Sequence, residues 1–407
     1  MTFAPDLASF EATLARLATD AGFSGAVAVT QGDQQLFAAA YGYANRAWQA
    51  PCTLKTRFDT ASVTKLFTAV ATLQLVERGA FGLETSVIGH LELEGTTISP
   101  TVTPYHLLTH TSGIADDADE EAGERYEDLW VSQPNYPVTE TADHLSHFVT
   151  KPPNFAPGQG CRYCNCGYLL LGLMIERATG SRYRDHVRAN VFEPAGMRGA
   201  GFFRMDVVEP EVAEGVEAIR DSEGRVVGWR RNIYSYPPVG TPDSGAYVTV
   251  GDLIAFQRAL SGGKLLAAEL TTAMLTPHVV HSRRQGFTEM MGYGLEFKVT
   301  ADGRVRCYQK DGVNVGTSGL LRHYPDHDLT LAILGVGERA VWEPVRVFDA
   351  AVPTPEPKLN RSLPTGADRR PRAGGAPAAS GSRNRPVMQI PGGYDQRVED
   401  VQLSVVC

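Results

Sequence analysis

Short apolar strands stand at both ends of this chain's core, and helices occupy the stretch between them. Residues 24–30 (SGAVAVT) form an apolar run, Gln31-Gly32-Asp33 is a turn signal, and residues 34–43 read as the returning strand. Strand patterning comes back only late. Residues 294–299 alternate, residues 304–308 continue after a turn at Gly303, and residues 320–324 and 329–334 flank Pro325-Asp326-His327-Asp328. Proline presets φ and aspartate bonds its own backbone, so that tetrapeptide turns the chain. Strands so distant in sequence bury their apolar faces together by joining one sheet. The layout predicts an α/β (α+β) fold, with a discontinuous sheet domain over residues 1–60 and 240–352 and a mostly helical region, residues 61–239, inserted in it.

Helical spacing supports this division. Leu7, Phe10, Leu14 and Leu17 recur on one face, with no basic segment leading into an apolar one, so the start reads as a folded helix and not as a signal peptide. Residues 62–78 predict a helix with an apolar stripe of Leu66, Ala69, Val70, Leu73 and Leu75/Val76, and Gly79 stands where a C-terminal cap belongs. Residues 169–179 (LLLGLMIERAT), closed by Gly180, residues 252–260 and residues 341–351 predict three more. Residues 353–407 open with a Pro-, Gly-, Ala- and Arg-rich stretch and read as a disordered basic tail.

Composition excludes some function classes. A net charge of -8 argues against nucleic acid as a partner, because phosphate binding needs a basic footprint. No run reaches the roughly 18 apolar residues of a membrane span. Six cysteines in 407 residues do not make a disulfide scaffold, and the expected compartment is the cytoplasm.

Chemistry concentrates first at Ser62-Val63-Thr64-Lys65. Serine and lysine three apart at a helix start lie on one face. The helix N-terminus adds free N–H groups and a positive dipole end, which suit a developing oxyanion. A lysine whose pKa is lowered by burial or a neighbouring cation can take the serine proton. The segment from Phe58 to Ala69 (FDTASVTKLFTA) resembles the nucleophile segment of the serine β-lactamase and penicillin-binding-protein superfamily. It is most similar to the branch of class C β-lactamases, D,D-carboxypeptidases, D-aminopeptidases and β-lactamase-like esterases. Residues 107–114 (LLTHTSGI) and the hairpin ending Tyr41-Gly42-Tyr43-Ala44-Asn45 resemble the same branch. The resemblance implies a β-lactamase/transpeptidase-like fold, an antiparallel sheet flanked by helices with an inserted helical region.

That branch carries a Tyr-x-Asn element, and Tyr163-Cys164-Asn165 matches it in order and spacing. The resemblance gives Tyr163 the role of general base and leaving-group acid, and Asn165 that of holding Lys65 and substrate. The third element, Lys-(Thr/Ser)-Gly in the family, matches Lys310-Asp311-Gly312. Lys310 would supply a positive field, Gly312 room for substrate, and the backbone N–H groups of Ser62 and Val313 the oxyanion hole. Asp311 replaces a hydroxyl residue, so it is expected to place a negative charge near the substrate carboxylate position and to disfavour β-lactams. The acidic stretch from Asp116 to Asp128 reads as a loop that either borders the cleft or is a solvated surface segment. Residues 242–253, His106 and His110 read as structural, and Cys161, Cys164 and Cys166 as small buried thiols without a zinc partner pair.

The implied activity is a serine hydrolase acting on a small-molecule ester or amide through acyl-Ser62. No metal or organic cofactor is implied, nor a nucleic-acid or membrane partner. Acyl transfer from the same intermediate, and a non-catalytic binding protein on the same fold, are the alternatives.

Overall fold

The computed structural model describes residues 5–20 and 22–352, and in it the two ends of the core meet in one sheet. The strands are β1 (Gly25–Gln31), β2 (Gln34–Tyr41), β3 (Val279–Arg284), β4 (Phe287–Met291), β5 (Glu296–Thr300), β6 (Val305–Asn314), β7 (Thr317–Tyr324) and β8 (Leu329–Val336). Their order is β2-β1-β8-β7-β6-β5-β4-β3, and all neighbours are antiparallel. The chain's first and last strands close the middle of the sheet, with Val27 opposite Ile333.

Alternation along the strands separates two cores. Val27, Val29, Leu329, Leu331 and Ile333 face a cluster completed by Phe10 and Leu14 of helix α1 (Leu7–Asp20) and Val345 and Phe348 of the last helix, Trp342–Ala351. Ala26, Ala28, Ala332 and Leu334 face the larger cluster. That cluster is built on α2 (Thr64–Glu77), α3 (Asn165–Thr179) and α4 (Val250–Ser261). The ring of Phe67 in α2 meets Phe192 and Phe256 edge-on, each at 5.0 Å.

The apolar stripe expected on α2 is too narrow a description. Every residue from Thr64 to Leu75 is buried, because other elements pack on all sides of the helix. Some of its polar members are bonded inside: Thr68 Oγ1 lies 2.6 Å from Tyr183 Oη. Gly79 takes the left-handed conformation that ends the helix, at φ 72°. The inserted region also holds a two-stranded hairpin, Val216–Arg220 with Val226–Arg231, which the helical reading did not include. No helix among the described residues is long and apolar enough to cross a membrane. The tail expected over residues 353–407 lies outside the described residues.

Candidate active site

Before α2 the chain makes a tight 3₁₀ turn, Ala61–Val63. Ala61 sits at φ 46°, a left-handed conformation that costs an L residue about 1–2 kcal/mol. Its N–H donates to Asp59 Oδ1 at 2.7 Å, and its carbonyl accepts from Thr64 Oγ1 at 2.7 Å. Asp59 is itself fixed by the pairing of Phe58–Asp59 with Tyr247–Val248. The strained turn leaves Ser62 partly exposed at the head of a helix that is otherwise buried.

Lys65, one turn on, is fully buried. Its Nζ lies 3.1 Å from Ser62 Oγ, and donates to Asn165 Oδ1 at 2.7 Å and to the Asp243 carbonyl at 3.0 Å. Burial lowers its pKa, and the Lys310 charge lowers it further, against Asp243, Glu120 and Asp116. A lowered pKa favours the deprotonated amine, a form able to accept a hydroxyl proton at this distance. The loop around Asp243 therefore does more than the structural role read from the sequence. Its contribution is a backbone carbonyl, which no side-chain pattern announces.

Tyr163 is buried between two ammonium groups. Lys65 Nζ lies 4.9 Å and Lys310 Nζ 4.7 Å from its ring centroid. His110 stacks on the Tyr163 ring, centroids 4.5 Å apart and planes at 27°. The His110 Nδ1 accepts the Cys164 N–H at 3.1 Å. Burial, then Lys310 and Lys65, push the His110 pKa well below its ordinary value, so the imidazole stays neutral. His110 thus sets the orientation of the Tyr-x-Asn segment, more than the generic structural part expected of it.

The acidic stretch is exposed over residues 121–125, but its first part is built into the site. Asp116 is buried, and its two oxygens accept the N–H groups of Asn165 and Cys166, each at 2.8 Å. It caps the first turn of α3, which carries Asn165 toward Lys65. Glu121 accepts the Tyr163 N–H at 2.9 Å, and Asp119 and Glu121 both pair with Arg162. Asn165 Nδ2 donates to Glu120 at 3.4 Å. The only signal for this in the sequence is the density of carboxylates ahead of a helix that has no Ser, Thr or Asp at its own start.

Strand β6 brings Lys310, Gly312 and Val313 to the same place. Its pairing with β5 ends at Gln309 opposite Glu296, while residues 310–314 pair only with β7. The other edge of this stretch pairs with no strand. A Cβ on Gly312 would stand 2.2 Å from Thr60 O and 2.5 Å from the Ser62 N. Only glycine lets β6 lie so close to the Ser62 backbone, with Val313 next to it and 37% exposed. Gly312→Ala is expected to push this contact apart, with a loss of about 1–3 kcal/mol in stability and a larger loss in kcat than in KM. Thermal melts and steady-state kinetics check both parts.

Lys310 does not stand as a bare cation. It forms a buried ion pair with Glu296 across β5 and β6. Burial pushes the Glu296 carboxyl up, but the charge and hydrogen bond of Lys310 outweigh it and hold the carboxyl below its ordinary value. Asp311 corrects the sequence expectation more sharply. It is buried, and burial followed by the Glu296 charge pushes it up to about 8. At neutral pH it is largely a neutral acid and adds little charge to the cleft.

A titration follows. The folded state holds the Asp311 proton more tightly than the unfolded chain, whose pKa is near 4. Its stabilising contribution is complete below about pH 4 and is lost as pH rises through about 8. Asp311→Asn keeps the shape without titrating, so its melting temperature relative to wild type is expected to climb between about pH 5 and 9. A difference that stays constant over that range contradicts the assignment.

Among the described residues the cysteines are free. Cys164 and Cys166 are buried as expected, with thiols pushed well above the ordinary range by burial and nearby aspartates. Cys161 is only half-buried, and its thiol is pushed up to about 12. None is a thiolate at neutral pH. A small open cleft flanks the site, lined by Tyr126, Phe203, Tyr236 and Tyr247 with Ser244 and Asn314 on its wall. Asn314 Nδ2 donates to Ser244 Oγ at 2.9 Å.

Residues 10–377 match the family model described as Beta-lactamase. Esterase EstB of Burkholderia gladioli is 37% identical over 193 residues, 46% of this chain and 48% of the esterase. The match thus spans about half the length of that relative. The penicillin-binding protein of Bacillus halodurans superposes with a TM-score of 0.77 at 35% identity, covering 83% of this chain and all of that one. A class C β-lactamase shares the fold at a TM-score of 0.63 and 19% identity, over 84% of this chain and 94% of that one.

Proposed function

The chain belongs to the Beta-lactamase family, and on that premise we propose that it is a serine hydrolase cleaving small neutral or cationic esters and amides through an acyl-Ser62 intermediate. One observation carries the reading: Lys65 Nζ lies 3.1 Å from Ser62 Oγ and 2.7 Å from Asn165 Oδ1 in a fully buried setting. Ser62 Oγ attacks the substrate carbonyl while its proton passes to deprotonated Lys65. The carbonyl oxygen, now negative, is held by the N–H groups of Ser62 and Val313. Tyr163 protonates the leaving alcohol or amine and so frees acyl-Ser62. Water then attacks the acyl carbon and gives up its proton to Tyr163, and Ser62 departs with the proton stored on Lys65. An amine or alcohol in place of water gives acyl transfer, which product analysis with added amines detects.

Substrate charge follows from the ion pair on β6. In this reading Glu296 already neutralises Lys310, so a substrate carboxylate finds no spare cation there. The buried, raised Asp311 is not what disfavours it. A p-nitrophenyl ester is expected to be turned over far better than a chromogenic cephalosporin. Glu296→Gln releases the Lys310 charge and is expected to raise the cephalosporin-to-ester ratio of kcat/KM by up to about fivefold, on the scale of one solvent-exposed charge pair. Side-by-side kinetics decide the point. A wild type that hydrolyses both equally well sinks the substrate reading, and no change of ratio in the variant sinks its cause.

A further inference from the structure

One buried polar cluster takes no part in the chemistry of Ser62. Asp117, on the acidic loop, meets His144 and His147 of the 3₁₀ helix Thr141–His147, and one ligand-type atom from each lies within 4.8 Å of the other two. Asp117 is 2% exposed and His144 1%. The cluster is short of partners. Asp117 Oδ1 accepts the Ala118 N–H at 2.9 Å, but Oδ2 bonds no protein atom. Neither nitrogen of His144 has a protein partner. His147 Nε2 lies 3.3 Å from the Gln133 side-chain amide, and its Nδ1 has none. Trp130 packs edge-on to both imidazoles, at 6.5 Å from His144 and 5.5 Å from His147. A buried polar atom without a partner costs about 1–3 kcal/mol. Three such residues converging on one point form a built site that a lone-pair acceptor fits.

Charge points to a cation. Two carboxyl groups adjacent in the chain, Asp116 and Asp117, are buried here. The nearby cations are occupied otherwise. Lys65 serves Ser62, Asn165 and the Asp243 carbonyl. Lys151 Nζ donates to the backbone carbonyls of Asp116 and Asp117, at 2.9 and 2.7 Å, rather than to their carboxylates. Both nitrogens of His144 are without a protein partner, so one is open to a ligand in either tautomer.

We propose that Asp117, His144 and His147 bind a divalent transition-metal ion of the zinc type, through one carboxylate oxygen and two imidazole nitrogens. Two nitrogens and one oxygen suit zinc and its neighbours, whereas magnesium and calcium take oxygen sets. Zinc bonds of about 2.0–2.2 Å draw the three ligand atoms inward and leave a fourth position for water. The ion ties the acidic loop to the helix Thr141–His147, one residue from the Asp116 that caps α3. The site stands independently of the acyl-enzyme reading.

The test uses the full chain, freed of any affinity tag and stripped with a chelator. Titration with Zn²⁺ against a colorimetric competitor is expected to give one tight equivalent per chain. A saturating excess is expected to raise the melting temperature by roughly 3–6 °C, as ligand linkage requires, and Mg²⁺ is expected to do nothing. His147→Gln, at a half-buried position, and Asp117→Asn are expected to weaken Zn²⁺ binding at least about 100-fold. Should Asp117→Asn fail to fold, His147→Gln alone locates the ion. Wild type that binds no Zn²⁺ at micromolar concentration overturns the proposal, and so does a folded His147→Gln that binds it as tightly as wild type.

Discussion

Ser62→Ala is expected to abolish acyl-enzyme formation and to cut turnover of an activated ester by roughly 10³–10⁶-fold, leaving the fold intact. The two parts separate for a structural reason. Ser62 is partly exposed, and its hydroxyl has one side-chain contact, Lys65 Nζ at 3.1 Å. Lys65 keeps its bonds to Asn165 and the Asp243 carbonyl when that hydroxyl is removed. The backbone turn that presents Ser62 is held by Asp59 and Thr64, neither of which the substitution touches. The melting temperature is therefore expected to stay within a few degrees of wild type. Near-native esterase rates in the variant would remove Ser62 from the mechanism.

Lys65→Met has the second largest effect. Removing a proton-transfer group costs about 10²–10⁴-fold in kcat. Stability is expected to move the other way or hardly at all. A fully buried ammonium is expensive to desolvate, and a methionine of similar length removes that cost. Against that gain, the Asn165 Oδ1 and the Asp243 carbonyl each lose a donor. A variant that melts no lower than wild type yet has lost almost all its activity identifies Lys65 as kept for chemistry at some expense of stability. The double variant of Ser62→Ala and Lys65→Met is expected to be no slower than Ser62→Ala alone, because the two groups act as one unit. Kinetics and melts of all three variants check this together, and additive losses contradict it.

Much of this arrangement is legible in the chain before any coordinates. The separated strands foretell a sheet closed from both ends, and β1 pairs with β8 accordingly. Ser62, Lys65, Tyr163, Asn165, Lys310 and Gly312 come from distant segments, and Lys65 and Lys310 do converge on Tyr163. Partners set by tertiary packing were not legible. Glu296 meets Lys310 only because β5 pairs with β6 in the register that places Glu296 opposite Gln309, and register is not written in either strand alone. Asp311 read as a charge because residue type was all there was to go on, while burial decides its protonation. Asp116 looks like one acid among many until the N–H groups it caps are known. The all-round burial of α2 likewise depends on neighbours that its own periodicity cannot report.

The central claim is that Ser62 carries the acyl group. Intact-protein mass spectrometry after brief exposure to a fluorophosphonate probe or a slowly turned-over ester tests it most directly, followed by peptide mapping of the adduct. One probe mass per chain is predicted, confined to the peptide containing Ser62 and absent from Ser62→Ala. An adduct on any other residue, or unlabelled wild type that still hydrolyses the ester at full rate, contradicts the account.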